Sequence, residues 1–146
     1  MPTLSASVQN FSEKALRNTG LVMKKSVQLL ANDLIGNARS GAGPGNIPVI
    51  TGNLRNSLMA STAPPTVSDG PFAGSDVSMG ISGWSPEKGN PLYLGWQAAY
   101  ARRINYGFTG TDSLGRNYNQ GGRFFLEAHA ARWQKYVDIA AADFKD

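Results

Sequence analysis

His129 is the sole histidine of this chain, and its surroundings bear first on any catalytic reading. A hydrolytic triad needs a serine or threonine nucleophile, a histidine base and an orienting carboxylate. The chain has no Gly-x-Ser-x-Gly elbow, and His129 lies on the flank of an amphipathic segment, where a structural or solvent-facing role is the expectation. A paired-carboxylate site needs two acids in one cleft. Asp69, Asp76, Glu87 and Asp112 are scattered through the loop-rich middle and read as turn and surface residues. Gly41-Ala-Gly43-Pro-Gly45 lacks the second half of a dinucleotide fingerprint and follows no strand, so it reads as a linker. With no cysteine, thiolate metal sites and disulfides are excluded, and one histidine excludes a histidine cluster. The expectation is a protein that is not an enzyme and holds no cofactor or metal.

Charge offers a second kind of chemistry. The net charge of +4 lies entirely within residues 1–62. Lys14, Arg17, Lys24 and Lys25 fall on one side of a helix, suited to phosphates or to an acidic neighbour, or simply solvated. Arg102, Arg103, Arg116 and Arg123 bracket a glycine-rich stretch and could meet nucleic acid or carboxylates of an adjacent subunit. Trp84, Tyr93, Trp96, Tyr100, Tyr106, Phe108 and Tyr118 crowd the centre, as core or as interface.

The elements that would position these groups follow from periodicity. At 146 residues and 41% hydrophobic, the chain fits one domain with a real core. Residues 7–38 read as one long helix. Leu16, Met23, Val27, Leu30 and Leu34 form its main apolar stripe, and Val8, Phe11, Ala15, Val22 and Leu29 a second. Two stripes imply two burial partners, the helix's own domain and a neighbouring subunit. Residues 39–75 are loop-rich, with Leu54 to Thr62 a helical turn leading into a strand. Within 76–106, Val77, Met79 and Ile81 alternate as a half-buried strand, Leu92, Leu94 and Trp96 as another, and Gln97 to Tyr106 form a short helix. Residues 107–122 are a second glycine-rich loop. In the helix 123–146, Leu126, Ala130, Trp133, Val137, Ala140 and Phe144 form the stripe expected to face the core, flanked by Phe125, His129, Arg132, Tyr136 and Ile139. The expected class is α+β: a long N-terminal helix, a small antiparallel β-sheet, a short helix and a C-terminal helix, with two long glycine-rich loops. No apolar run reaches a membrane span, and no secretory signal is seen at Met1-Pro2-Thr3-Leu4-Ser5.

Three stretches in succession resemble a known family. Ile47-Pro48-Val49-Ile50-Thr51-Gly52-Asn53-Leu54-Arg55-Asn56-Ser57-Leu58 is similar to the Pro-x-x-Thr-Gly-x-Leu-Arg-x-Ser signature that follows the long first helix in small head–tail joining proteins of long-tailed bacteriophages, the neck, tail-completion or minor tail proteins. Tyr100-Ala101-Arg102-Arg103-Ile104-Asn105-Tyr106-Gly107 resembles that family's Tyr-Ala-x-x-x-x-x-Gly element, with Asn105 where a glutamate is common. Arg123-Phe124-Phe125-Leu126-Glu127-Ala128 resembles the start of its last helix, with Phe124 and Glu127 in place of prolines. The resemblance implies a non-enzymatic virion protein made in the host cytoplasm. It implies a homo-oligomeric ring, commonly of six subunits, between the connector or stopper and the tail tube or terminator, enclosing the channel for genomic DNA. The residues expected at subunit or partner contacts are Lys14, Arg17, Lys24, Lys25, Arg55, Arg102, Arg103, Tyr118, Arg123 and Tyr136. The competing expectation is a small nucleic-acid-binding module using the basic first helix.

Overall fold

In the computed structural model, residues 3–41, 43–49, 51–68 and 70–144 are described. Ile50 of the first motif and Asp69 among the scattered carboxylates lie outside them. Helix α1 spans Leu4–Gly36 and starts where the Thr3 hydroxyl accepts a hydrogen bond from the Ala6 amide at 3.1 Å. It belongs to the body only from Gly20 onward. There a Cβ would stand 3.2 Å from the Glu87 carboxylate, because the 3₁₀ turn Pro86–Lys88 packs against the helix. Beyond it Ser26, Ala31 and Leu34 are buried, and the Ser26 hydroxyl donates to the Val22 carbonyl at 2.7 Å. Leu16 and Met23, expected in the buried stripe, are exposed, and only its C-terminal members Val27, Leu30 and Leu34 meet the core. The helix outruns the body that could cover it.

After α1 the chain loops back. The Arg39 amide donates to the Ile47 carbonyl at 3.1 Å and the Val49 amide to the Arg39 carbonyl at 3.0 Å, and Ile47 is fully buried, so this glycine-rich segment is tied to the core at its far end. Helix α2 (Asn53–Asn56) leads into β1 (Leu58–Ser61), which pairs antiparallel with β2 (Tyr93–Trp96), Leu58 opposite Trp96. Between them, Val77–Ser82 is helix α3, not the expected strand. Residues four apart share a face in both a helix and a strand, so Val77 and Ile81 point inward either way. Met79 decides between them, and it is 77% exposed. Gly80 lets α3 lie flush on β1, since a Cβ there would sit 2.0 Å from the Ala60 carbonyl oxygen.

Helix α4 (Ala101–Tyr106) begins four residues after the Gln97 expected, and a second correction follows it. The expected loop 107–122 is a β-hairpin, β3 (Gly107–Thr111) antiparallel to β4 (Asn117–Gly121). It covers no core, and β4 is exposed throughout, so no hydrophobic alternation marked it. The single C-terminal helix is two: α5 (Phe125–Ala130) and α6 (Trp133–Asp143), interrupted at Ala131 and Arg132. The face that packs inward is also the neighbouring one. Phe125, His129 and Tyr136 of the flanking face are buried, as is Ala140 of the expected stripe, whereas Leu126 and Trp133 are 39% and 38% exposed. The α+β class holds, with two separate two-stranded antiparallel sheets. The core joins Leu34, Ile47, Leu54, Leu58, Val77, Ile81 and Phe125.

Candidate assembly surface

The first motif folds as a junction. Gly52 takes φ 83°, a left-handed value open to glycine, and turns the chain into α2. Leu54 and Leu58 enter the core, and the Ser57 hydroxyl donates to the Leu54 carbonyl at 2.8 Å. The Asn53 side chain then reaches two other segments. Its Oδ1 accepts from the Phe72 amide at 2.9 Å, and its Nδ2 donates to the Tyr100 hydroxyl at 3.1 Å. Arg55 is half-buried, with Nε 3.4 Å from the Asn56 amide oxygen.

The second and third motifs meet around Asn105, which is buried at the end of α4. Its Oδ1 accepts from the Leu126 amide at 3.1 Å, and its Nδ2 donates to both Glu127 carboxylate oxygens, at 3.2 and 2.9 Å. The Arg123 and Phe124 amides bond to the Ile104 and Asn105 carbonyls, each at 2.9 Å. The start of α5 is thereby fixed from both ends of one side chain. Asn105's donated bonds hold the Glu127 carboxyl below its ordinary range, and the bond to Glu127 in turn raises the Tyr106 phenol. Phe124, at φ 51°, is the one described non-glycine residue with positive φ, and its ring meets Tyr106 edge-on at 6.3 Å. Phe125 turns inward onto Trp96, ring centroids 5.0 Å apart. At Gly107 a Cβ would lie 2.5 Å from the Gln120 carbonyl oxygen, so the glycine ending the second motif is what lets the hairpin close.

Of the expected contact residues, Arg103 and Tyr118 are brought together. The Arg103 guanidinium lies 4.2 Å above the Phe108 ring, and Phe108 packs against Tyr118 at 5.9 Å. The Tyr118 hydroxyl donates to Asp112, whose carboxylate also accepts from the Leu114 and Arg116 amides and from Arg116 Nε at 2.6 Å. These bonds, the Arg116 amide foremost, lower the Asp112 carboxyl. Arg102 is exposed beside Asn105, and Arg123 is half-buried. Arg55 stays with the first motif and does not join this group.

The first-helix cations do not act as one open face. Lys24 donates to the Ser82 carbonyl at 3.1 Å, and Lys25 pairs with Asp143 at 2.8 Å. Arg17 lines a groove with Glu13 and Glu87, while Lys14 is exposed. Tyr136 is corrected outright: it is 3% exposed, and its hydroxyl donates to Asp33 at 2.5 Å. Burial, then the Asp33 carboxylate, pushes its phenol up to about 12. His129 is a core residue, its Nδ1 2.8 Å from the Phe125 carbonyl and its Nε2 3.5 Å from the Asn37 amide nitrogen. The first of these is a donated bond, since a carbonyl oxygen only accepts.

Sequence reasoning missed Asn105 and Glu127 as a clamp and Phe124 as a strained exposed aromatic. The signal present was Asn105 itself, an uncharged side chain where the resembled pattern carries an acid. Among the described residues no group of acids and histidine is placed to hold a metal ion, and no helix is long and apolar enough to cross a membrane. Comparison of the chain with protein-family models, with curated proteins and with solved structures returns no match.

Proposed function

We propose that this chain is a structural virion subunit of the head–tail junction of a long-tailed bacteriophage. In this reading it builds a ring, commonly of six copies, that joins the capsid connector to the tail and encloses the DNA channel. The observation that carries the reading is the convergence of the three resembling stretches on α4. Asn53 of the first bonds Tyr100 of the second, and Ile104 and Asn105 of the second bond Arg123 and Phe124 of the third. Segments far apart in sequence thus share one scaffold, and beside it stand the exposed cations Arg102 and Arg103 and the projecting hairpin. An exposed polar arm that covers none of its own core suits contact with a neighbouring subunit. Under the alternative, a nucleic-acid module, the first helix would present its cations to phosphates. Lys24 and Lys25 instead bond within the chain, which favours the junction reading.

The test is assembly of phage particles without this chain. Filled heads and finished tails should accumulate unjoined, and the added protein should restore joining and be labelled by antibody at the neck. Joined, infectious particles without the chain overturn the reading. Duplex binding that falls steeply with salt, together with no label on particles, would put the nucleic-acid module in its place.

A further inference from the structure

The part of α1 that outruns the body is apolar along one line. Leu4, Val8, Phe11 and Ala15 follow steps of four, three and four, and Asn18 and Val22 continue them. That is the spacing of a seam that packs against another helix. Leu4 is 82% exposed, Phe11 74% and Val8 55%, so no described residue covers the outer part of the seam, while Asn18 and Val22 are half-buried. At its body end the seam runs into an open groove of about 440 Å³, where Val22 and Met23 face Trp133 and Val137 of α6. Seam and groove adjoin at Asn18, which lines the groove with Thr19 and Ser26 beside its apolar residues.

We infer that this surface is covered by α1 of a second copy of the chain, antiparallel to the first and in one register. Leu4 of each copy meets Val22 of the other, Val8 meets Asn18, and Phe11 meets Ala15. This register sets the largest seam residue against the smallest. It also seats each Leu4 in the other copy's groove, beside Trp133 and Val137. Sliding the pair by one heptad, so that Leu4 meets Ala15, leaves both grooves empty. Parallel pairing stacks Phe11 on Phe11 and Ala15 on Ala15, a bulge followed by a gap, and keeps both Leu4 tips away from the grooves. The residues flanking the seam are Ser5, Ser7, Ser12, Lys14, Thr19 and Leu21. They set only one like-charge pair across the two-fold axis, Lys14 on Lys14, so the surface is compatible with its own copy. The contact is isologous and closes at two chains. It stands independently of the head–tail reading, and under that reading it keeps the free subunit's seam covered until docking.

The full chain at micromolar concentration should scatter light with the mass of two chains. Phe11→Asp should halve that mass and lower the melting temperature only to the value the unsubstituted chain reaches on dilution, because Phe11 itself lies outside the body. With no native cysteine, single variants read the register. Ser12→Cys should cross-link to itself under mild oxidation, whereas a mixture of Ser5→Cys and Ser12→Cys chains should gain no preferential mixed product. A monomer at all concentrations overturns the inference. So does a ring that keeps its mass in Phe11→Asp, or a Ser12→Cys chain that stays uncross-linked. Preferential Ser5–Ser12 linkage overturns the register.

Discussion

Asn105 joins α4 to α5 through both ends of its amide. Asn105→Ala should cost about 1–2 kcal/mol, since it removes a buried side chain together with its bonds to the part-buried Leu126 amide and to Glu127. Chemical denaturation of the two proteins checks this, and a loss well under that range would mean that water replaces the side chain. Tyr136 makes a prediction with a sign in pH. Its phenol is raised from 10.0 to about 12, so the neutral form is favoured by folding. The stability this contributes is fully present below pH 10 and is lost as pH rises through about 12. Tyr136→Phe should cost about 1–3 kcal/mol at neutral pH by stripping Asp33 of its donor, and should lack that alkaline loss. Neither residue's place was legible in sequence. Tyr136 and Trp133 lie on adjacent stripes of the same helical pattern, and residue type favoured tryptophan. The tether of Leu126 and Glu127 to Asn105, a contact across about twenty residues that periodicity does not carry, fixes α5, and the break at Ala131 and Arg132 separates the facing of α6 from it. Trp133→Ala, read from sequence as a core deletion, should accordingly cost only about 1 kcal/mol, as for a partly exposed side chain.

At the scale of elements, what could be read was what local pattern determines. The long helix, β1, β2 and α4 follow from periodicity and from glycine stops. Helix α3 and the hairpin did not, because the first is too short to separate two periods and the second has no buried face. Gly80→Ala should displace α3 from β1, where the backbone approach leaves no room for a methyl group. A marked fall in melting temperature is expected, and an unchanged one would show that α3 can lift away freely. The hairpin depends on its tip instead. A two-stranded sheet alone is marginally stable, and Asp112 gathers the Leu114, Arg116 and Tyr118 donors around one carboxylate. Its carboxyl lies below the ordinary 3.8, so the contribution is present above that pH and is lost as pH falls through the depressed value. Asp112→Ala should speed amide exchange along 107–121 at neutral pH while leaving α6 protected. Equal protection in both proteins would assign the hairpin's order to Arg103 and Phe108.

Taken as a whole, the molecule packs α1 against α6, and the Asp33–Tyr136 hydrogen bond ties residues 103 positions apart. The consequence concerns time. On the ribosome α1 is made well before α6, so the face of α1 that meets α6 stays uncovered while the intervening residues 37–132 are synthesised. Isolated helices are marginal in water, and closing so long a loop slows folding. Nascent chains halted before Trp133 should be protease-sensitive throughout α1 and should draw chaperones. Chains extended far enough past Phe144 to free α6 from the ribosome should become resistant in one step. If α1 were already protected in the halted chains, β1, α3 and the turn at Pro86 would be sufficient to hold it, and the last helix would only lock a body that had formed without it.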